Sequence, residues 1–152
     1  MPASYKIDKE RRLVMSSASG VFSMADARSH TEKLSKDPDF DPSFSQIADF
    51  TQVTRIELSP DDVRILAQRS LFSPNSRRAF IVPNELAYGL ARMFEILREL
   101  AGEKGIGVFR TLEEALDWVL SKSANVEAPN RQILTIHNQY ARTEPKAVLL
   151  RL

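Results

Sequence analysis

Arg77-Arg78-Ala79-Phe80-Ile81-Val82-Pro83-Asn84 decides the fold. A short apolar run rich in branched and aromatic side chains, closed by proline, reads as a buried strand. Asn84 can then cap a helix whose side chains Leu86, Leu90, Met93, Leu97 and Leu100 recur at four- and three-residue steps up to about Ala101. That spacing predicts a helix with one apolar stripe, which is expected to face the core, and Gly102 is its natural stop. A strand that leads directly into a long capped helix is half of a βαβ unit.

Working outward from this unit gives more of the same. Towards the C-terminus, Ile106 to Phe109 is a core strand, and Thr111-Leu112-Glu113-Glu114 has the capping-box pattern of a helix with Leu112, Ala115, Leu116 and Val119 inward. Towards the N-terminus, Ser59-Pro60-Asp61-Asp62 is a strong helix start: a serine cap, proline in the first turn, and two acids that complement the helix dipole. Val63, Leu66, Ala67 and Leu71 form its apolar stripe, and before it Phe44 to Phe50 reads as a short strand with a connecting stretch through Leu58. Ser23-Met24-Ala25-Asp26 opens a helix running to about Lys36, which Asp37-Pro38 and Asp41-Pro42 terminate. Tyr5-Lys6-Ile7-Asp8 and Leu13 to Ser19, joined by a turn near Lys9–Arg11, form a hairpin, with Gly20 as the expected end of its second strand.

The resulting order is β-β-α-β-α-β-α-β-α. It predicts an α/β domain with an N-terminal β-hairpin followed by alternating βα units, giving a mostly parallel sheet flanked by helices. Residues 1–122 make this domain, and 123–152 are an extension. Ile133, Leu134, Ile136, Val148, Leu149, Leu150 and Leu152 make the extension too apolar to stay free in water, so it is expected to supply extra strands or a subunit contact, such as a homodimer interface.

Composition narrows the function classes. The chain has no cysteine, which removes disulfides, thiolate catalysis and cysteine-ligated metals. A net charge of +1 gives no reason to expect nucleic acid. Neither a signal-peptide h-region nor a bilayer-length apolar run is present, so the expectation is a cytoplasmic protein with no membrane span. His30 and His137 form no metal-binding pattern, and no Gly-x-Ser-x-Gly elbow exists, so neither a metal, another cofactor nor an enzymatic activity is expected. Gly102-Glu103-Lys104-Gly105-Ile106-Gly107 follows a helix and enters a strand, which is the reverse of a phosphate loop.

With these elements in place, the chain resembles the SpoIIAA-like group of the STAS superfamily over roughly residues 4–120. The resemblance is carried by Tyr5-Lys6-Ile7-Asp8, the stretch Ile47 to Thr54, the run Ala87-Tyr88-Gly89-Leu90-Ala91-Arg92-Met93-Phe94, and Val108 to Leu116. It implies a non-enzymatic regulatory or protein-interaction domain similar to bacterial anti-sigma-factor antagonists, acting on a protein partner. In that superfamily an Asp-Ser-Ser-Gly-like turn carries a serine that a partner kinase phosphorylates. Ser59 falls at that position, with Glu57 where aspartate is usual, while Leu58, Pro60 and the missing glycine depart from the pattern. The binding candidates are Asp49, Glu57, Asp62, Tyr88 and Arg92. The plain reading of Ser59 is a helix cap, and that of Asp49 is a carboxylate satisfied by backbone N–H groups or by an arginine such as Arg92. The alternative function is a carrier of a small apolar ligand or lipid, with a pocket under the 84–101 helix. Tyr88, Met93, Phe94, Phe22, Phe72 and Trp118 are candidate lining residues, and Gly89 would mark close packing against a strand.

Overall fold

The computed structural model describes residues 3–121. The elements run β1 (Ala3–Asp8), β2 (Leu13–Ser23), α1 (Met24–Ser35), β3 (Ser45–Glu57), α2 (Pro60–Leu66), β4 (Arg78–Ile81), α3 (Glu85–Leu100), β5 (Ile106–Phe109) and α4 (Leu112–Leu120). Their spatial order in the sheet is β1-β2-β3-β4-β5. β1 is antiparallel to β2, and every later pair is parallel, as βα crossovers require.

Local chemistry explains the boundaries. The hairpin turn is closed by Asp8, which accepts a hydrogen bond from the Arg11 backbone N–H at 3.0 Å and pairs with its guanidinium at 2.8 Å. Burial acts to raise the Asp8 carboxyl, but these bonds outweigh it and hold the group below its usual range. Ser23 and Ser59 form full capping boxes with Asp26 and Asp62. Thr111 caps α4 through the Glu114 N–H, but Glu114 takes its bond from the Thr111 hydroxyl rather than from the backbone.

The sheet divides the core in two. Alternate residues of the strands point to opposite faces. Leu13, Met15, Ile47, Ala79 and Ile81 face α4 and pack with Leu112, Ala115, Leu116 and Val119. Val14, Ala48, Phe80 and Ile106 face the side covered by α1, α2 and α3, where Leu34, Phe72, Ala91 and Phe94 lie against them.

Several expectations are corrected. Gly20 does not end β2. It adopts φ +65° beside shifts in the β2–β3 register, and the strand continues to Ser23. β3 is likewise a single 13-residue strand rather than a short strand with a connection, because its second half pairs with Ser19–Ser23 as a two-stranded ribbon that outruns β4. The ribbon buries Ala18, Phe22 and Val53 together, so polar residues such as Gln52, Thr54 and Arg55 are the outward positions of a strand.

The third correction concerns α3. Leu86 is 64% and Leu100 81% exposed. The inward positions are Ala87, Ala91 and Phe94, joined from the expected stripe by Leu90. The helix is apolar over more than one face, and periodicity alone does not say which face the sheet takes. Gly89 is exposed, with nothing near the place a Cβ would occupy, so it marks no close approach to a strand. Residues 123–152, assigned above to an extension, lie outside the described residues.

Candidate functional site

The two sides of the sheet are filled differently. Between the sheet and α1, α2 and α3 lies a cavity of about 590 Å³, within the range of small-molecule sites. Its walls are mostly apolar. α1 contributes Ala27 and Leu34, α2 contributes Val63 and Leu66, and α3 contributes Ala87, Leu90, Ala91 and Phe94. The β2–β3 ribbon closes one end with Phe22 and Ile56, and Ala48 and Phe80 form part of the sheet wall.

A polar cluster interrupts that wall. The parallel register sets Val14, Gln46, Arg78 and Ile106 in one row across β2 to β5. Gln46 and Arg78 are both buried. Arg78 Nε donates to Gln46 Oε1 at 3.1 Å, and Gln46 Nε2 donates to Ser16 Oγ, also at 3.1 Å. His30 Nε2 lies 2.9 Å from the same Ser16 oxygen. Four side chains from three strands and one helix thus form a continuous hydrogen-bonded line, and all four border the cavity.

Arg78 is the centre of this cluster. Its Nη1 donates to Ser70 Oγ and to Glu103 Oε2, each at 3.2 Å. The rings of Phe72, Phe80 and Phe94 surround its guanidinium at 4.5, 5.6 and 5.5 Å. Glu103, only 1% exposed, also accepts from Arg98 Nε at 2.9 Å. Gly102 makes this geometry possible: at φ +102° it turns the chain after α3, so that the Glu103 N–H reaches the Arg98 carbonyl and the carboxylate folds beneath the helix.

Burial pushes the Arg78 guanidinium down from its ordinary value, Glu103 opposes this, and Arg98 adds to it. An arginine nonetheless stays charged at neutral pH. Burial also lowers His30, helped by the positive charges of Arg78 and Lys33, so its neutral ring is favoured.

The residues singled out from sequence do not assemble into one site. Ser59 is exposed at the start of α2, its hydroxyl accepting from the Asp62 N–H at 3.1 Å. Glu57 is the last residue of β3 and pairs with Arg55 at 3.2 Å. Asp49 lies within β3 rather than at its end, and its Oδ1 accepts from the Thr51 N–H and hydroxyl at 2.8 and 2.6 Å. Arg92 pairs with Glu95 at 2.6 Å instead of with Asp49. Tyr88 stacks under the Arg110 guanidinium at 4.8 Å. Of this set only Asp49 borders the cavity.

Of the candidate lining residues, Phe22, Phe72 and Phe94 do line it, whereas Tyr88 and Met93 do not, and Trp118 lies on the opposite face against Phe109. His30 is half-buried, with its ring edge-on to Tyr5 at 5.6 Å. Sequence reading passed over Arg78, Gln46 and Glu103. A signal was present: a charged residue inside the run Arg77–Val82 must find a counter-ion if that strand is buried.

No protein-family model and no curated protein matches the sequence. Among solved structures, the chain is similar to an uncharacterized protein from Shewanella loihica PV-4, described as a member of the DUF3478 family with a SpoIIAA-like fold. The identity is 19%, the match covers 77% of this chain and 93% of the other, and the TM-score is 0.52. The fold of this chain is therefore SpoIIAA-like, as its resemblance to that group implied. No described helix is long and apolar enough to cross a membrane.

Proposed function

We propose that this domain is a carrier or sensor of a small apolar ligand, held between the sheet and helices α1 to α3. One observation carries the reading: a cavity of about 590 Å³ with mostly apolar walls, where the opposite face of the same sheet is filled by close-packed side chains. Close packing is the norm in protein interiors, and a space of this size in a small domain is a binding feature rather than a packing fault. The ligand lies partly under the 84–101 helix, through Ala87, Leu90, Ala91 and Phe94.

A second reading is a protein-interaction role resembling that of anti-sigma-factor antagonists, supported by the exposure of Ser59. It is the weaker of the two. The Ser59 hydroxyl already caps α2, and Asp61 and Asp62 in the first turn would repel a phosphate placed there.

Titration with Nile red, an uncharged apolar dye, tests the carrier reading. Fluorescence should rise to saturation at one dye per chain. Ala91→Phe or Ala27→Leu, which place extra atoms in the cavity, should abolish the rise while circular dichroism stays unchanged. Dye binding that is non-saturable, or indifferent to both fillings in a folded protein, rejects it.

A further inference from the structure

The cavity is not uniformly apolar: Arg28, Arg69, Glu32 and Asp49 line it with charges that cancel, and a separate buried cluster around Arg78 carries unbalanced charge. Two buried guanidinium groups, Arg78 and Arg98, share one carboxylate, Glu103; their side chains are 10%, 11% and 1% exposed. Arg98 also donates to the Ala67 carbonyl at 2.8 Å, which adds a dipole but no charge. One positive charge is therefore left over in surroundings of low polarity, where an uncompensated ion is costly.

That charge has an opening. Arg78 uses Nε for Gln46 and Nη1 for Ser70 and Glu103, leaving Nη2 without a bond among those of the described residues. Among the described residues no fully buried side-chain nitrogen or oxygen lacks a partner, so Nη2 keeps some exposure, and Arg78 borders the cavity. Beside it, the hydroxyl of Ser16 and the ring of His30 complete a small hydrogen-bonding patch.

From this geometry we infer that the cavity takes a monocarboxylic acid with a long apolar chain, its carboxylate on Arg78 Nη2 beside Ser16 and His30. The chain then lies along Ala48, Leu90 and Phe94. A single residual charge suits a monoanion better than a phosphate dianion, and the three phenylalanine rings around the guanidinium leave little room for a hydrated head group. The inference rests on the carrier reading and adds the class of ligand to it.

The test compares three ligands of equal chain length on the full chain by isothermal titration calorimetry: dodecanoate, dodecanol and dodecylamine. Dodecanoate should bind about tenfold or more tighter than dodecanol, the scale of one charge-assisted hydrogen bond, and dodecylamine weakest. In Arg78→Met, which leaves Arg98 paired with Glu103, the preference for dodecanoate over dodecanol should vanish. If that variant fails to fold, NMR titration of the wild-type His30 ring locates the head group. The groups facing His30 are Ser16, Tyr5, Arg78 and Lys33, so a carboxylate seated on Arg78 should raise its pKa, and dodecanol should not. Equal binding of dodecanoate and dodecanol overturns the head-group assignment while leaving the carrier reading intact. The same assignment falls if a preference for dodecanoate survives in folded Arg78→Met, or if His30 does not respond to dodecanoate. Absence of binding by all three ligands rejects both readings together.

Discussion

The two faces of the sheet use the same strands in opposite ways. On one face, among the described residues, α4 covers β2, β3 and β4, where Leu13, Met15, Ile47, Ala79 and Ile81 pack against Leu112, Ala115, Leu116 and Val119. On the other, three helices stand over the sheet, enclose a cavity, and leave a buried arginine pair on a single glutamate. One face is built for stability. The second gives up close packing and buries charge, and the proposal of a bound ligand rests on these two features.

Three experiments sharpen this contrast. The largest effect should come from Glu103→Leu. It leaves two buried cations without a counter-ion, and loss of one partner of a buried pair costs about 3–5 kcal/mol. Urea denaturation would measure this, and a change below about 1 kcal/mol would mean that water already screens the cluster. On the other face, Leu116→Ala removes a fully buried side chain and should cost about 2–5 kcal/mol. Dye binding in the cavity should be unchanged, since Leu116 lies across the sheet. Loss of binding in a protein that remains folded would show that the two faces are coupled.

The smallest effect is expected from pH. The pKa of His30 is lowered in the folded protein, so as pH falls through its ordinary value of 6.5 the unfolded chain takes up a proton before the folded one does. Stability is therefore fully present above that pH and declines below it, until the folded ring itself titrates. Urea midpoints at pH 7.5 and 5.5 should differ less in His30→Gln than in the wild type. An identical difference would place His30 outside the buried network.

Much of the fold was legible from short stretches of sequence. Capping residues Ser23, Ser59, Asn84 and Thr111 act on N–H groups three residues away, so their signals are complete within one turn. The element order followed from these starts and from the apolar runs between them. The length of β3 was not legible. Gln52, Thr54 and Arg55 look like a connection until Ser19 to Ser23 are known to pair beside them.

The inner face of α3 was misassigned in part, for a related reason, although Leu90 of the expected stripe does line the cavity. Leucines at helical spacing marked an apolar stripe, but the sheet takes the smaller Ala87 and Ala91 together with Phe94, leaving Leu86 and Leu100 exposed. The candidate site was legible only in part, through Phe22, Phe72 and Phe94 and the placing of a pocket beneath α3.

By itself, then, the sequence determined the α/β class, the succession of elements and the position of most helix starts, because each depends on residues only a few places apart. The tertiary structure alone decided how far the space would extend beyond α3 and what charge would face it. Ser16, His30, Gln46, Arg78, Arg98 and Glu103 come from three strands, two helices and the turn after α3. No local rule joins them; only the parallel register of the sheet and the turn at Gly102 bring them within hydrogen-bonding distance.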